Sequence, residues 1–302
     1  MEGEKKIVYK REDGQDPRDI KCTTYQMRNF YAQFADGFFS NLDWMNYIQH
    51  YAVARMAKKG ASVLDVCCGR SLLLPLLRYY AGDIEKYTGV DICEKNINEA
   101  KGGASRAARG KKLAPEELEK YYPFKTEWLL HDVATMSEVV PEDSQDLVVY
   151  TSALEHMHKE FGAKSLEECF KVMKDSGVMF LSCPNTPGNG FDVQYAAHVY
   201  EWGYDELKQE LERIGFHIEH EVGLVMSAAD MKAMVEELPQ DLQKFYKTMG
   251  KYLPTSLMTV LMGIPYPKKS KEILFICRKK KPEASGGFFD LDDLRPENIE
   301  DD

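Results

Sequence analysis

Short apolar runs alternate with helix-like segments over most of the chain. Apolar runs at residues 61–66, 87–92, 126–133, 145–154, 177–185, 217–225 and 272–280 predict seven strands. Between several of them, apolar residues recur every three or four positions and predict helices, for example at 71–81, 165–174 and 204–216. Strands that alternate with helices pair in parallel through crossover connections. The pattern therefore predicts an α/β doubly wound, mostly parallel, seven-stranded sheet.

Helical patterns flank this alternation on both sides. Residues 23–58 predict two N-terminal helices broken near residue 40, with Asn41 or Asp43 capping the second. Residues 115–122 predict a short helix, and residues 227–263 predict a methionine-rich helical insert before the last strand. We expect one domain over residues 21–281, between a flexible N-terminus at 1–20 and a disordered acidic tail at 282–302.

Composition and charge narrow the functional classes. The chain has 302 residues, of which 44% are hydrophobic, and a formal net charge of -10. Nucleic-acid binders usually carry a basic footprint, which this chain lacks overall, although a local basic patch could exist, for example at residues 106–112. The seven cysteines are scattered without a CxxC pair, so neither a zinc ribbon nor any other metal site is expected. With no apolar leader and no run of about 18 apolar residues, we expect a cytoplasmic protein without a membrane span.

Polar residues stand where the predicted strands end. In a doubly wound sheet, ligands bind at the carboxyl ends of the strands. The first strand ends in the turn VLDVCCGRS, which contains Asp65 and Gly69. Asp91 follows Gly69 at the spacing of about 20 residues typical of a carboxylate that binds ribose hydroxyls. Asp132, one strand further, could accept a hydrogen bond from an adenine amino group, although capping a following helix is a serious alternative for both acids.

Five motifs in order resemble the class I S-adenosylmethionine-dependent methyltransferases: LDVCCGRS, GVDICE, HDV, DLVVYTSALEHM and SGVMFLSCPN. The resemblance covers about residues 60–225 and the strand at 272–280, and it implies a reversed last strand. LEH and PN resemble the subgroup that methylates small molecules. The resemblance implies S-adenosylmethionine as cofactor, converted to S-adenosylhomocysteine, and a binding site formed by Asp65, Cys67, Gly69, Asp91, Ile92, Asp132, Val133 and Thr151.

The first motif departs from the family at two glycine positions, which Cys67 and Ser71 occupy. Neither residue favours positive φ as glycine does. We therefore expect an ordinary negative φ at Cys67 and positive φ at Gly69 alone. The pair Cys67 and Cys68 could be nucleophiles or metal ligands, but small residues filling a crowded turn are the favoured interpretation.

Acceptor-side residues are less sharply marked. His156 and His198 are the candidate general bases, while His158 is interpreted as a surface residue. The candidate substrate contacts are Tyr25 and Tyr31, in a predicted helical lid, and Asn185 and Tyr200, which both follow the fifth strand. For the lid, and for the loop at 191–202, packing against the core is an equally simple interpretation.

These features favour a methyltransferase that transfers a methyl group to an O, N or C atom of a small-molecule acceptor. The helical insert could form a substrate pocket or the face of a homodimer, and packing against the core alone is an equally simple interpretation. A nicotinamide-dependent oxidoreductase is disfavoured because CCGRSL lacks the GxGxxG spacing. A non-catalytic scaffold that binds a partner through its acidic tail is the remaining alternative.

Overall fold

The computed structural model describes residues 39–102, 117 and 121–279. The predicted elements at 1–20, 23–38 and 282–302, and five of the eight residues at 115–122, lie outside these residues, as do Tyr25 and Tyr31. The described chain contains one seven-stranded sheet in the order β3-β2-β1-β4-β5-β7-β6. Its strands are Ser62–Val66, Lys86–Asp91, Lys125–Leu130, Gln145–Thr151, Met173–Pro184, His217–Val225 and Glu272–Arg278, numbered β1 to β7.

The strand directions confirm the predicted doubly wound sheet. Strands β1 to β5 run parallel, with β1 beside both β2 and β4. Strand β7 is antiparallel to both β5 and β6, as predicted for the last strand. The carboxyl ends of β1 to β5 therefore share one edge of the sheet, and β7 begins at that same edge, where Glu272 pairs with Pro184.

Eight α-helices surround the sheet within the described residues. They are Asn41–Met56, Leu74–Tyr80, Glu94–Lys101, Lys159–Val172, Tyr204–Ile214, Ala228–Glu237, Gln240–Met249 and Thr255–Gly263, numbered α1 to α8. Short 3₁₀ turns lie at Val133–Glu138, Leu154–His156 and Pro267–Lys269. Helix α4 begins earlier than predicted and ends at Val172. No helix in this part of the chain combines the length and apolar character that a membrane crossing requires.

The start of α1 differs in detail from the prediction. Ser40, rather than Asn41 or Asp43, is the N-cap residue: its Oγ accepts a hydrogen bond from the Asp43 backbone N–H at 3.2 Å. Asp43 reciprocates by accepting from the Ser40 N–H at 2.8 Å. This is a capping box, which satisfies two backbone donors together. Ser40 takes the cap because its hydroxyl reaches the third helical N–H, a role that residues inside the helix cannot fill.

Two apolar layers enclose the sheet. Alternate side chains of each strand point to opposite faces, so Val63 joins one cluster with α1 and α2, and Leu64 joins the other with α4 and α5. The helical insert is uneven in its packing. Helix α8 contributes buried residues, whereas α6 and α7 contribute none. The insert therefore reaches the core through α8, which packs against α1 and β6.

Candidate active site at the carboxyl edge of the sheet

The turn after β1 has three consecutive odd-numbered residues in the left-handed region. Cys67 has φ 55°, Gly69 has φ 52° and Ser71 has φ 59°. The prediction of a negative φ at Cys67, with Gly69 alone positive, is therefore wrong. Residues other than glycine adopt this conformation at a cost of order 1–3 kcal/mol, and only where the surroundings enforce it.

Contacts from neighbouring strands enforce this backbone. The Cys68 N–H donates to the Val90 carbonyl at 3.0 Å, and the Ser71 N–H donates to the Cys68 carbonyl at 2.7 Å. Trp128 on β3 donates its indole N–H to Ser71 Oγ at 2.9 Å. These bonds fix both ends of the turn. Tertiary contacts therefore override the conformational preference of Cys67 and Ser71. They hold both residues at positive φ, a conformation that glycine would adopt without strain.

The two cysteines act as packing residues in this turn. A side chain at Gly89 on β2 would place its Cβ 2.8 Å from Cys68 Sγ, so the thiol fills the space that the glycine leaves. Burial raises the pKa of the Cys67 thiol well above its usual value, and the nearby carboxylate of Asp91 raises that pKa further. A thiol that remains protonated is a poor nucleophile and a poor metal ligand. The geometry agrees with the interpretation of the pair as small residues in a crowded turn.

Asp91 connects this turn to the end of β2. One carboxylate oxygen accepts from the Gly69 N–H at 2.8 Å, and the other accepts from the Cys93 N–H at 2.7 Å, just before α3. Burial raises the pKa of Asp91, while these two backbone donors act in the opposite direction. Asp91 therefore caps the approach to α3 and also holds the turn. Asn96 Nδ2 lies 3.5 Å from both carboxylate oxygens, a long contact, and a carboxylate has about four acceptor positions, so acceptor capacity remains for a ribose hydroxyl.

The surroundings of Asp91 leave room for a nucleoside. A Cβ built on Gly69 would meet nothing within 4 Å, so the space above the turn is open to a ligand. Ile92 follows Asp91 and is 43% exposed, which gives an aliphatic surface against which a purine could lie. The residues at this edge fit the nucleoside part of S-adenosylmethionine.

The other predicted cofactor residues have structural partners of their own. Asp65 accepts from Tyr87 Oη at 2.7 Å, and Asp132 accepts from the Ala134 N–H at 2.8 Å as the cap of a 3₁₀ turn. Val133 is buried within that turn. Thr151 Oγ1 lies 3.3 Å from His50 Nε2 on α1. All four stand at the predicted edge, and their contacts with the cofactor stay predictions.

A second cluster follows β4 at the same edge. The ring of His156 lies 5.1 Å from that of His198 in an edge-to-face arrangement. His156 Nδ1 is 3.1 Å from the carbonyl oxygen of Ala197, and His198 Nδ1 is 2.5 Å from Glu201 Oε1. Glu155, 3% exposed, places Oε1 4.0 Å from His156 Nε2. The structure thus brings together both histidines that the sequence suggested as bases.

Glu201 and Glu272 are the residues that sequence reasoning missed. Glu201 is fully buried and accepts hydrogen bonds from Thr186 Oγ1 and, at 2.8 Å, from the Gln194 N–H. Its spacing of three residues from His198 was the available signal. Glu272 begins β7, and burial raises its pKa well above the usual range, as do the nearby carboxylates of Glu155 and Glu201. Nothing in its local sequence marks it, because the sheet topology brings it to this edge.

The two predicted substrate residues that the structure describes, Asn185 and Tyr200, form hydrogen bonds with other residues of the protein. Asn185 donates to the Ser270 carbonyl at 2.9 Å and accepts from the Tyr204 N–H at 3.0 Å. Tyr200 donates to Glu206 at 2.6 Å and is 5% exposed. Both tie the end of β5 to α5 and its approach. Their contact with a substrate stays a prediction.

Comparison with known proteins identifies the family. A family model described as a methyltransferase domain matches residues 43–237. The chain belongs to this methyltransferase domain family. A curated relative from Mycolicibacterium smegmatis, described as a probable S-adenosylmethionine-dependent methyltransferase, is 33% identical over 93 residues. That match covers 30% of this chain and 35% of the relative, so the chain spans about a third of that protein's length.

Solved structures show the methyltransferase fold at low identity. A TehB-like S-adenosylmethionine-dependent methyltransferase from Corynebacterium glutamicum matches with a TM-score of 0.50 and 15% identity, over 85% of this chain and 96% of that one. The [4+2]-cyclase SpnF matches with a TM-score of 0.51 and 15% identity, over 79% and 82%. These neighbours share the fold. The family implies S-adenosylmethionine as the cofactor of this methyltransferase domain, as the motifs predicted.

Proposed function

We propose that the protein is an S-adenosylmethionine-dependent methyltransferase acting on a small-molecule acceptor. The observation that supports this most strongly is the bond between the Gly69 N–H and Asp91. It joins an open turn at the end of β1 to an acidic residue at the end of β2. Such a turn brings backbone close to a ligand, while the carboxylate accepts from vicinal hydroxyls.

When bound, S-adenosylmethionine supplies an activated methyl group, because the positively charged sulfonium that carries it becomes a neutral thioether leaving group. The protein's own contribution is placement. Asp91 would hold the ribose end, the exposed side chain of Ile92 would support the base, and the turn at residues 67–71, with its left-handed backbone, would lie against the ligand. Orienting an already activated donor against an acceptor can supply most of the required acceleration.

The cluster around His156 supports a role for this residue as the base that deprotonates the acceptor. The carbonyl of Ala197 can only accept, so His156 donates from Nδ1 and keeps a lone pair on Nε2. Nε2 would accept the proton that an O, N or C acceptor loses on methylation, while the bound donor would supply the methyl group and keep the bonding electron pair on its sulfur.

A small, uncharged or cationic acceptor fits the surroundings better than a polymer. The net charge of -10 opposes polyanions. Glu155 and the loop residue His198 are buried, and the Val199 N–H of the same loop donates to the Glu155 carbonyl at 2.7 Å, which favours an enclosed site over an open protein-binding surface. The six described cysteines are free thiols, which supports a reducing, cytoplasmic location.

The proposal is tested with methyl-labelled S-adenosylmethionine. The full chain is incubated with the small-molecule fraction or the macromolecular fraction of a cell extract, and the labelled products are separated by size. We expect label in the small-molecule fraction and, in His156→Gln, a rate at least about 100-fold lower, the usual contribution of a general base. Label confined to macromolecules, or no turnover with either fraction despite cofactor binding, would contradict the proposed function.

A further inference from the structure

Glu155, His156 and His198 form a compact set of potential metal ligands. One ligand atom from each residue lies within 4.8 Å of the other two. Glu155 and His156 come from the 3₁₀ turn after β4, whereas His198 comes from the loop that precedes α5. Two imidazoles and one carboxylate are a common ligand set for divalent first-row transition metals.

The hydrogen bonds of both histidines leave the correct nitrogen available. His156 donates from Nδ1 to the Ala197 carbonyl, and His198 donates from Nδ1 to the carboxylate of Glu201. Each ring therefore presents the lone pair of Nε2. Metal-binding histidines are oriented in this way, with the second ring nitrogen bonded to a backbone carbonyl or a carboxylate. Glu201 is in turn held by Thr186 and Gln194, so this supporting arrangement is itself fixed.

An independent observation concerns the carboxylate of Glu155. Its Oε2 is buried and has no hydrogen-bond partner among the residues that the structure describes. Glu272 Oε2 is in the same condition close by. A buried polar atom without a partner costs about 1–3 kcal/mol, and more when it is charged. A cation bound to the Glu155 carboxylate beside the two histidines would compensate for its buried charge and offset the acidic surroundings.

We propose that Glu155, His156 and His198 bind one divalent transition-metal ion, of the Zn²⁺ or Co²⁺ type, through a carboxylate oxygen and two Nε2 atoms. Ligand atoms about 2.1 Å from a metal lie about 3.4 Å apart in tetrahedral geometry. The 4.0 Å between Glu155 Oε1 and His156 Nε2 is within a small side-chain rotation of that value. Three protein ligands leave at least one position open, which is typical of a catalytic site rather than a closed structural one.

The open position gives the ion a role in methyl transfer, and only this consequence rests on the proposed function. A metal-bound acceptor hydroxyl loses its proton more readily than a free one, because the ion stabilises the oxyanion. In the metal-bound form, His156 Nε2 is a ligand and not the general base proposed above for the metal-free site, so the ion takes over the activation of the acceptor. The acceptors that this site favours are therefore molecules that coordinate a metal through oxygen, such as vicinal hydroxyls.

The test is titration of the metal alone into the full chain, after treatment with a chelator and without S-adenosylmethionine. Calorimetry with Zn²⁺ should show one site in the unaltered protein. Glu155→Gln, His156→Gln and His198→Gln should each lower the affinity at least about 100-fold, and Glu201→Gln about 10-fold through the orientation of His198. His217→Gln, a histidine on β6 outside the cluster, should bind as the unaltered protein does. Circular dichroism melting shows which variants fold.

Co²⁺ absorption makes the result decisive because it reports the ligand type. We expect ligand-field bands without a sulfur-to-cobalt charge-transfer band. Such a sulfur band would place the ion on a cysteine and overturn the proposal. So would an absence of binding, or equal affinity in folded His198→Gln and His217→Gln variants. Because no cofactor or acceptor is present, these outcomes are independent of whether the protein transfers methyl groups.

Discussion

At the scale of single residues, the turn at residues 67–71 shows what sequence reasoning could and could not reach. The motif indicated a cofactor turn, and Gly69 and Asp91 lie together as expected. The conformation of Cys67 was not predictable from residue type, because its φ of 55° is set by contacts with β2 and β3. The preference of a residue type indicates the backbone conformation that it adopts in the absence of tertiary contacts, whereas the conformation of Cys67 is imposed by such contacts.

Substitutions of Cys67 test that constraint. Cys67→Gly should bind S-adenosylmethionine within about 3-fold of the unaltered protein, because glycine adopts the required φ without strain. Cys67→Val should lower the free energy of unfolding by at least about 2 kcal/mol, because a β-branched residue is a conformational outlier at positive φ. Urea unfolding and calorimetry measure the two effects. Equal stability of the two variants would show that the turn does not require positive φ at this position.

At the scale of elements, α1 is joined to the strand ends through buried polar residues. Gln49 accepts a hydrogen bond from Ser182 on β5 at 2.7 Å, and His50 lies beside Thr151 on β4. The apolar spacing predicted this helix but could not indicate that its polar residues face the sheet. Its N-cap was missed by one residue for a similar reason, since Ser, Asn and Asp are all good caps.

His50 gives this helix a pH-dependent stability. Burial lowers the pKa of His50 from 6.5 to about 4, so folding favours the neutral ring. The contribution is complete above pH 6.5 and is lost as the pH falls towards 4, because the unfolded chain takes up the proton first. The full loss is about 3 kcal/mol.

The measurement is urea unfolding of the unaltered protein and of His50→Gln between pH 7 and pH 4.5. Carboxyl groups affect both proteins, so the difference between their free energies of unfolding isolates the histidine. We expect that difference to shift by about 2 kcal/mol in favour of the glutamine variant as the pH falls. Parallel pH dependence of the two proteins would contradict a neutral buried His50.

At the scale of the whole molecule, the sheet topology brings together site residues that are far apart in the sequence. The alternation of apolar runs and helical patterns was sufficient to predict the seven strands and their mostly parallel directions. Strands buried on both faces appear in the sequence as continuous apolar runs. The cluster of Glu155, His198 and Glu272 was not predictable as a unit. Its members belong to distant segments that meet only because β4, β5 and β7 share one edge.

The charge of the whole chain carries its own prediction. With a net charge of -10, the protein should not bind double-stranded DNA or RNA at about 0.15 M salt, where counterion release provides most non-specific affinity. Electrophoretic mobility shift at two salt concentrations measures this. A salt-sensitive complex would reveal a basic surface strong enough to outweigh the overall charge and would favour a polymeric acceptor.

The central claim is that the turn after β1 and Asp91 together hold the methyl donor, and calorimetric titration of the full chain with S-adenosylmethionine tests it most directly. We expect one site. In Asp91→Ala the affinity should fall at least about 100-fold, because two hydrogen bonds to a carboxylate are lost, and in Gly69→Val binding should disappear. Cys68→Ala, at a buried position whose side chain fills the space beside Gly89, should bind normally. Absence of binding in the unaltered protein, or undiminished binding in folded Asp91→Ala, would contradict the account.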